Sequence, residues 1–252
     1  MKSLTGKIVA VIGGSSGMGR ATALALAHEG AAVVVGARRA ELCAQVVAEI
    51  EAAGGRAHAR PLDATDEGSV GDFGCDLERR FGRLDGAFNN VGRTLGSSPI
   101  TETTLERFQN TLDFNLRSTF LCLREELRLM QRTGGGAIVN NSSIGGTRGF
   151  ANLQDYCAAK WGVVGLTKAV ALEGAAAGIR VNVIAPGLVA TERFEFIRSQ
   201  NSAMIESRLK EIPFGRPGAM SEIGATVVWL LGPGSGFLTG AIIPVDGGEC
   251  AR

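Results

Sequence analysis

Short, nearly uninterrupted apolar runs recur along the chain, separated by amphipathic or Ala-rich stretches. Ile8 to Ile12 is apolar at every position, and Ala32 to Gly36, Leu84 to Phe88, Ala137 to Asn140, Arg180 to Ala185 and Leu238 to Val245 have the same character. Continuous rather than alternating apolarity predicts strands buried on both faces, as in a parallel sheet. A more polar run, Arg56 to Leu62, completes seven strands. Between them the helical period predicts helices over about 18–29, 40–53 and 105–131, an Ala-rich helix opening at Tyr156, and one capped by Ser221 with Glu222 in its first turn. Gly54-Gly55 ends the second helix, and Thr65-Asp66-Glu67 can cap the one after strand three. Strands alternating with helices, without repeat or linker, predict a single α/β domain over 1–252. Its core is a doubly wound parallel seven-stranded sheet with helices on both faces.

In such sheets ligands bind beyond the carboxyl ends of the strands. The Gly-rich turn Gly13 to Gly19 follows strand one and opens a helix whose free amides suit a pyrophosphate. Its Gly13-x-Ser15-x-Gly17 also fits a hydrolase nucleophile elbow, but a hydrolase needs a late histidine, and the only two are His28 and His58. After strand two, Arg38-Arg39 stands where an acid would bind the adenosine ribose of NAD. A basic pair there suits the 2′-phosphate of NADP, or is a solvated loop. Tyr156, the only tyrosine, and Lys160 lie one helical turn apart, with Cβ atoms about 5–6 Å apart. An ammonium so placed draws a phenol by roughly 1–3 units from about 10 towards neutrality, where a general acid or base works best. Ser143, at the end of strand five, is placed to meet that phenol across a cleft. Asn115 is disfavoured inside a helix unless its amide serves a purpose; otherwise it is an exposed helical residue.

Composition narrows the function. Hydrophobic residues make up 45% and charged residues 20%, and the net charge is +1, which suggests neither disorder nor a nucleic-acid surface. The cysteines at 43, 75, 122, 157 and 250 contain no C-x-x-C, which argues against a disulfide framework or a metal site and suits a reducing cytoplasm. The first residues are unlike a signal peptide, and no uncharged apolar segment approaches a membrane span, so a soluble, cytoplasmic protein is expected.

The Gly-x-x-x-Gly-x-Gly turn, Asn89-Asn90-Val91-Gly92, Ser143, Tyr156-x-x-x-Lys160 and Pro186-Gly187 together resemble the short-chain dehydrogenase/reductase family, of the branch about as long as this chain. The chain is similar throughout to 3-oxoacyl-carrier-protein reductases. The resemblance implies a Rossmann-type oxidoreductase that moves a hydride between NADP and a small carbonyl or alcohol. Ser143 would hold the substrate oxygen, Tyr156 would be the acid or base, and Lys160 would bind the nicotinamide ribose and lower the Tyr156 pKa. Asn115 would hold a water leading to Lys160. Cofactor contacts would come from Gly13, Ser15, Ser16, Gly17, Met18, Gly19, Arg38, Arg39, Asp63, Ala64, Asn90, Gly92, Pro186, Gly187, Val189 and Thr191, with Tyr156 and Lys160. Departures are Ile12 for the usual Thr, Val91 for Ala, which would crowd the ribose, and Ser16 where many NADP-dependent relatives carry a basic residue. Enoyl reductases of the superfamily place Tyr and Lys further apart. Residues 188–212, with scattered Phe194, Phe196, Ile197, Met204, Ile205 and Leu209, read as a substrate lid or a plain surface hairpin, and specificity is expected there and in Arg93 to Pro99. Apolar faces over Phe108 to Met130 and Trp161 to Ala171 suggest a homotetramer. A non-catalytic NADP-sensing regulator is the alternative from another class, but such proteins usually lose the Tyr or Lys.

Overall fold

The computed structural model of the chain describes residues 2–251. The strands are β1 (Ile8–Ile12), β2 (Ala32–Ala37), β3 (Arg56–Pro61), β4 (Gly86–Asn89), β5 (Gly136–Asn141), β6 (Ile179–Pro186) and β7 (Ile242–Val245). They form one sheet in the order β3-β2-β1-β4-β5-β6-β7, and every neighbouring pair is parallel. The chain winds outward from β1 to β3, then returns to lay β4 on the other side of β1. That reversal opens a crevice at the carboxyl ends of β1 and β4. The helices are α1 (Gly17–His28), α2 (Ala40–Ala52), α3 (Glu67–Phe81), α4 (Leu105–Leu112), α5 (Ser118–Thr133), α6 (Gln154–Ala175), α7 (Glu192–Gln200), α8 (Ser202–Glu211) and α9 (Met220–Leu231).

Burial on both faces accounts for the apolar runs. In β1, Ile8, Ala10 and Ile12 pack with Phe73, Leu77, Leu121 and Met130, so α3 and α5 cover one face. Val9 and Val11 pack with Leu26, Val46, Ile223 and Val227, so α1, α2 and α9 cover the other. No helix of the described residues is long and apolar enough to cross a membrane.

Several boundaries differ from the sequence reading because backbone geometry decides them. β7 starts at Ile242 rather than Leu238: the Leu238 carbonyl accepts from Asn182 Nδ2 at 2.9 Å, and Gly240 turns at a φ of +70°. β4 starts at Gly86 rather than Leu84, since the Asp85 carboxylate accepts from the Ile8 N–H at 2.9 Å. The long helix over 105–131 is divided into α4, a wide π turn at Asp113–Arg117, and α5. Ser221 does not cap α9. It is exposed within the first turn, and the Glu222 carboxylate instead accepts from the Ala219 N–H at 2.7 Å. Asp66 does cap α3, accepting from the Ser69 N–H at 2.6 Å.

Candidate active site

The Gly-rich turn brings backbone close to backbone at the crevice. Gly13 has a φ of +77°, and a Cβ there would stand 2.8 Å from the Asn90 carbonyl oxygen; one on Gly19 would stand 2.2 Å from the Gly13 oxygen. Neither position admits a side chain without a backbone shift. Ser16 precedes α1, but its side chain caps nothing, and the first turn holds no acid. The leading amides of α1 therefore keep their donors for an anion, which the helix dipole also favours. They border a cleft of about 840 Å³ lined by Ser15, Ser16, Gly17, Met18, Arg38, Arg39, Asp63, Ala64, Asn90, Gly92 and Thr191.

At the end of β2 the two arginines diverge. Arg39 Nη2 donates to Ser16 Oγ at 2.7 Å and reaches Ser15 Oγ at 3.3 Å. Arg38 turns to Phe114, its guanidinium carbon 5.8 Å from the ring centre. Beyond β3, Asp63 accepts from the Thr65 hydroxyl at 2.7 Å and the Thr65 N–H at 3.0 Å. That hydroxyl, with the N–H and the Arg38 charge, holds its carboxyl below the ordinary value against the effect of burial. Asn90 accepts from Asn141 Nδ2 at 2.8 Å. Val91 lines the cleft and also packs on the core. Pro186, Gly187 and Val189, expected as cofactor contacts, do not line this cleft: the Gly187 N–H donates to the Val245 carbonyl at 3.1 Å, and Val189 is buried. They hold the turn to Thr191, whose Oγ1 caps α7 by accepting from the Phe194 N–H at 3.3 Å.

Ser143 leaves β5, its Oγ accepts from the Gly145 N–H at 3.1 Å, and its hydroxyl acts on the Tyr156 phenol to favour the ionised form. Lys160 is buried one turn along α6 from Tyr156, with Nζ 5.7 Å from the centre of the Tyr156 ring and donating to the Asn141 carbonyl at 2.9 Å. Burial pulls the Lys160 ammonium down to about 7. Burial also pushes the Tyr156 phenol above its ordinary value, against the Ser143 hydrogen bond and the charge of Arg193. The expectation that Lys160 draws this phenol towards neutrality is thus not met in this arrangement. Desolvation favours the neutral form of both groups, so the cation that would do the drawing is itself partly lost near neutral pH.

Asn115 lies at the middle of the π turn, fully buried. Its Nδ2 donates to the Thr111 carbonyl at 2.8 Å and the Arg93 carbonyl at 3.0 Å, while its Oδ1 has no partner among the described residues. A Cβ on Gly92 would stand 2.3 Å from that Oδ1 and 3.0 Å from Lys160 Nζ, so both polar atoms face the same glycine. The helix distortion is confined to the five residues around it, Asp113–Arg117.

Sequence reasoning missed four supporting residues. Ser142 Oγ donates to the Lys160 carbonyl at 3.0 Å. Asp155, buried beside Tyr156, accepts from Arg107 Nε at 3.0 Å and Thr111 Oγ1 at 2.9 Å, and Arg107 Nη1 also donates to Ser98 Oγ at 2.7 Å. This pair ties the 93–99 loop to the first turn of the Tyr156 helix. Arg193 donates to Thr94 Oγ1 at 3.2 Å, joining α7 to the same loop. An acid next to the tyrosine was the one signal in the sequence. The nucleophile-elbow reading finds no base: His28 faces Glu29 at 3.7 Å, His58 faces Asp76 at 3.2 Å, and Ser15 has Arg39 as its partner.

Comparison with known proteins places the chain by sequence and by fold. A family model described as Enoyl-(Acyl carrier protein) reductase matches residues 12–249. Levodione reductase of Leifsonia aquatica is 37% identical over 254 residues, covering 98% of this chain and 95% of that protein. The 3-oxoacyl-[acyl-carrier-protein] reductase of Synechocystis is 37% identical over 250 residues, 98% of each chain. A variant of actinorhodin polyketide ketoreductase, solved with NADPH, matches with a TM-score of 0.92 at 32% identity over 98% of each chain. Likeness of this extent, in sequence and in fold, shows that the chain belongs to the short-chain dehydrogenase/reductase family.

Proposed function

We propose that the protein is an NADP-dependent oxidoreductase that interconverts a ketone and a secondary alcohol, with Tyr156 as general acid in the reducing direction. The observation that carries this reading is the convergence of Ser143 and Lys160 on Tyr156 beside the cleft that the Gly-rich turn opens. The residues fit a dinucleotide. The α1 amides are uncapped, Gly13 and Gly19 let backbone approach backbone, and buried Oδ1 atoms of Asn115 and Asn141 lack partners beside Lys160. Arg39, seated on Ser15 and Ser16, brings positive charge to the turn that Ser16 alone would leave neutral, and Arg38 stands beside it at the end of β2.

When bound, the nicotinamide gives or takes the hydride. Ser143 already takes the Gly145 N–H on its oxygen, so its own proton is available to hold a substrate carbonyl oxygen next to Tyr156. Tyr156, a neutral phenol whose ordinary value already lies well above neutral pH, donates its proton to that oxygen. The phenolate formed then favours the charged state of Lys160, and the two groups titrate as a pair. Asn115 Oδ1, on the Lys160 side of Gly92, holds the water through which the proton is resupplied. Oxidation of an alcohol reverses these steps.

Substrates of the 3-oxoacyl-carrier-protein type are the specific alternative, favoured by the Synechocystis relative. The one-turn spacing of Tyr156 and Lys160 favours a carbonyl over an enoyl substrate, despite the description of the family model. Residues 188–212 would serve as the lid: of α7 and α8 only Phe194 and Ile205 are buried, and Arg208 anchors the hairpin to the buried Glu249 at 2.8 Å. Exposed Phe120, Trp161 and Leu172 on α5 and α6 support a homotetramer, and the free cysteines suit a cytoplasmic setting. A panel of ketones, oxoacyl thioesters and enoyl thioesters, followed by NADPH consumption, tests the reading. Turnover of the first or second class supports it, and turnover of enoyl thioesters alone, or of none, overturns it.

A further inference from the structure

The cleft contains a cation that the reading above does not use. Arg93 follows Gly92, and its guanidinium carbon lies 4.6 Å from the centre of the Phe114 ring, the same ring that Arg38 approaches at 5.8 Å. Both arginines line the cleft, and their guanidinium contact in each case is the ring rather than a carboxylate. Many other arginines of this chain are matched: Arg83 with Asp85, Arg107 with Asp155, Arg216 with Glu222. Two acids, Asp63 and Glu192, also line the cleft; Asp63 feels the Arg38 charge but has its Oδ1 engaged by Thr65. Two like charges drawn to one aromatic ring repel each other, and an anion bound between them relieves that repulsion.

The position of Arg93 does not depend on its charge. Its carbonyl accepts from Asn115 Nδ2 at 3.0 Å, so the buried asparagine fixes the backbone while the guanidinium lies against Phe114. Two guanidiniums held against one aromatic ring in a cleft suit a nucleoside that carries a phosphate on its ribose, since each guanidinium offers a fork of donors to phosphate oxygens.

We propose that Arg93 is a specificity-determining residue for NADP, gripping the 2′-phosphate together with Arg38 across Phe114, so that the loop after β4 sets cofactor preference alongside the end of β2. This deepens the NADP reading and rests on it. The test uses probes of the adenosine half alone, adenosine 2′,5′-bisphosphate and 5′-AMP, titrated by calorimetry into the wild type, Arg93→Ala and Arg93→Lys. The wild type should bind the bisphosphate more tightly than AMP. Arg93→Ala should weaken the bisphosphate roughly tenfold or more, as loss of a hydrogen bond to a charged group does, and change AMP by no more than about twofold. Arg93→Lys, keeping the charge without the fork, should fall between. Unchanged bisphosphate affinity in Arg93→Ala, or equal weakening of both probes, would overturn the inference while leaving the NADP reading intact. A wild type that binds the two probes equally would remove the NADP reading, and this inference with it.

Discussion

Glu126 offers a measurable link between burial and pH. It sits on α5, buried, and accepts from Asn89 Nδ2 at 2.9 Å. Its Oε1 and the Asn89 Oδ1 both lack a donor among the described residues. Burial raises its carboxyl from 4.5 to about 7, with the Asn89 hydrogen bond opposing. The neighbouring Cys122 thiol is pushed well above its ordinary value and stays neutral throughout this range. Below about pH 4 Glu126 is protonated whether the chain is folded or not, and it contributes no pH-dependent penalty. From there to about pH 7 the unfolded chain gives up the proton while the folded chain keeps it, so stability falls as pH rises; above pH 7 the full penalty stands. At about 1.4 kcal/mol per unit, the shift corresponds to about 3 kcal/mol. Glu126→Gln keeps an acceptor for Asn89 Nδ2, supplies an amide donor for Asn89 Oδ1, and does not titrate. In urea denaturation the variant should gain on the wild type by up to about 3 kcal/mol as pH rises from about 4.5 to about 8. A difference that stays constant over that range, or moves the other way, would show that Glu126 is ionised in the fold and that the desolvation argument fails.

Other predictions follow from the site. Ala37→Asp with Arg38→Leu should shift preference from NADP towards NAD by roughly 10- to 100-fold in the ratio of kcat/KM, because it supplies an acceptor for the ribose hydroxyl and removes one phosphate donor. A wild type more efficient with NADH than with NADPH would show that the arginine pair only faces solvent. Lys160→Ala should weaken NADPH binding as well as turnover, seen by titrating cofactor fluorescence; unchanged affinity would remove Lys160 from the ribose. Static light scattering at micromolar concentration should give a tetramer, and a monomer would leave the exposed Phe120, Trp161 and Leu172 without their proposed cover.

The sheet was legible because parallel strands buried on both faces leave a continuous apolar record, and because the candidate residues fall after strands. The Tyr156–Lys160 pair was legible for a similar reason: helical spacing alone puts the two side chains on one face. What the sequence does not carry is anything that depends on distance through space. Arg107 and Asp155 are far apart along the chain, and only the packing of α4 on α6 makes them an ion pair. The break in the long helix at Asp113–Arg117 was hinted at only by an ill-suited Asn115. The direction of the Tyr156 shift is not legible in the sequence, because helical spacing speaks of the charge of Lys160 and not of the burial that suppresses it. Arg93 was placed in a specificity loop, but its approach to Phe114 needed the fold.

The most direct measurement is turnover by Tyr156→Phe, with NADPH and whichever ketone the wild type reduces. The phenyl ring preserves packing in α6 and only the proton-carrying hydroxyl is lost, so NADPH should bind with near wild-type affinity while kcat falls by roughly a hundredfold or more, the usual contribution of a positioned acid. A variant that retained as much as about a tenth of wild-type turnover would contradict Tyr156 as the proton donor, and with it the mechanism proposed for this cleft.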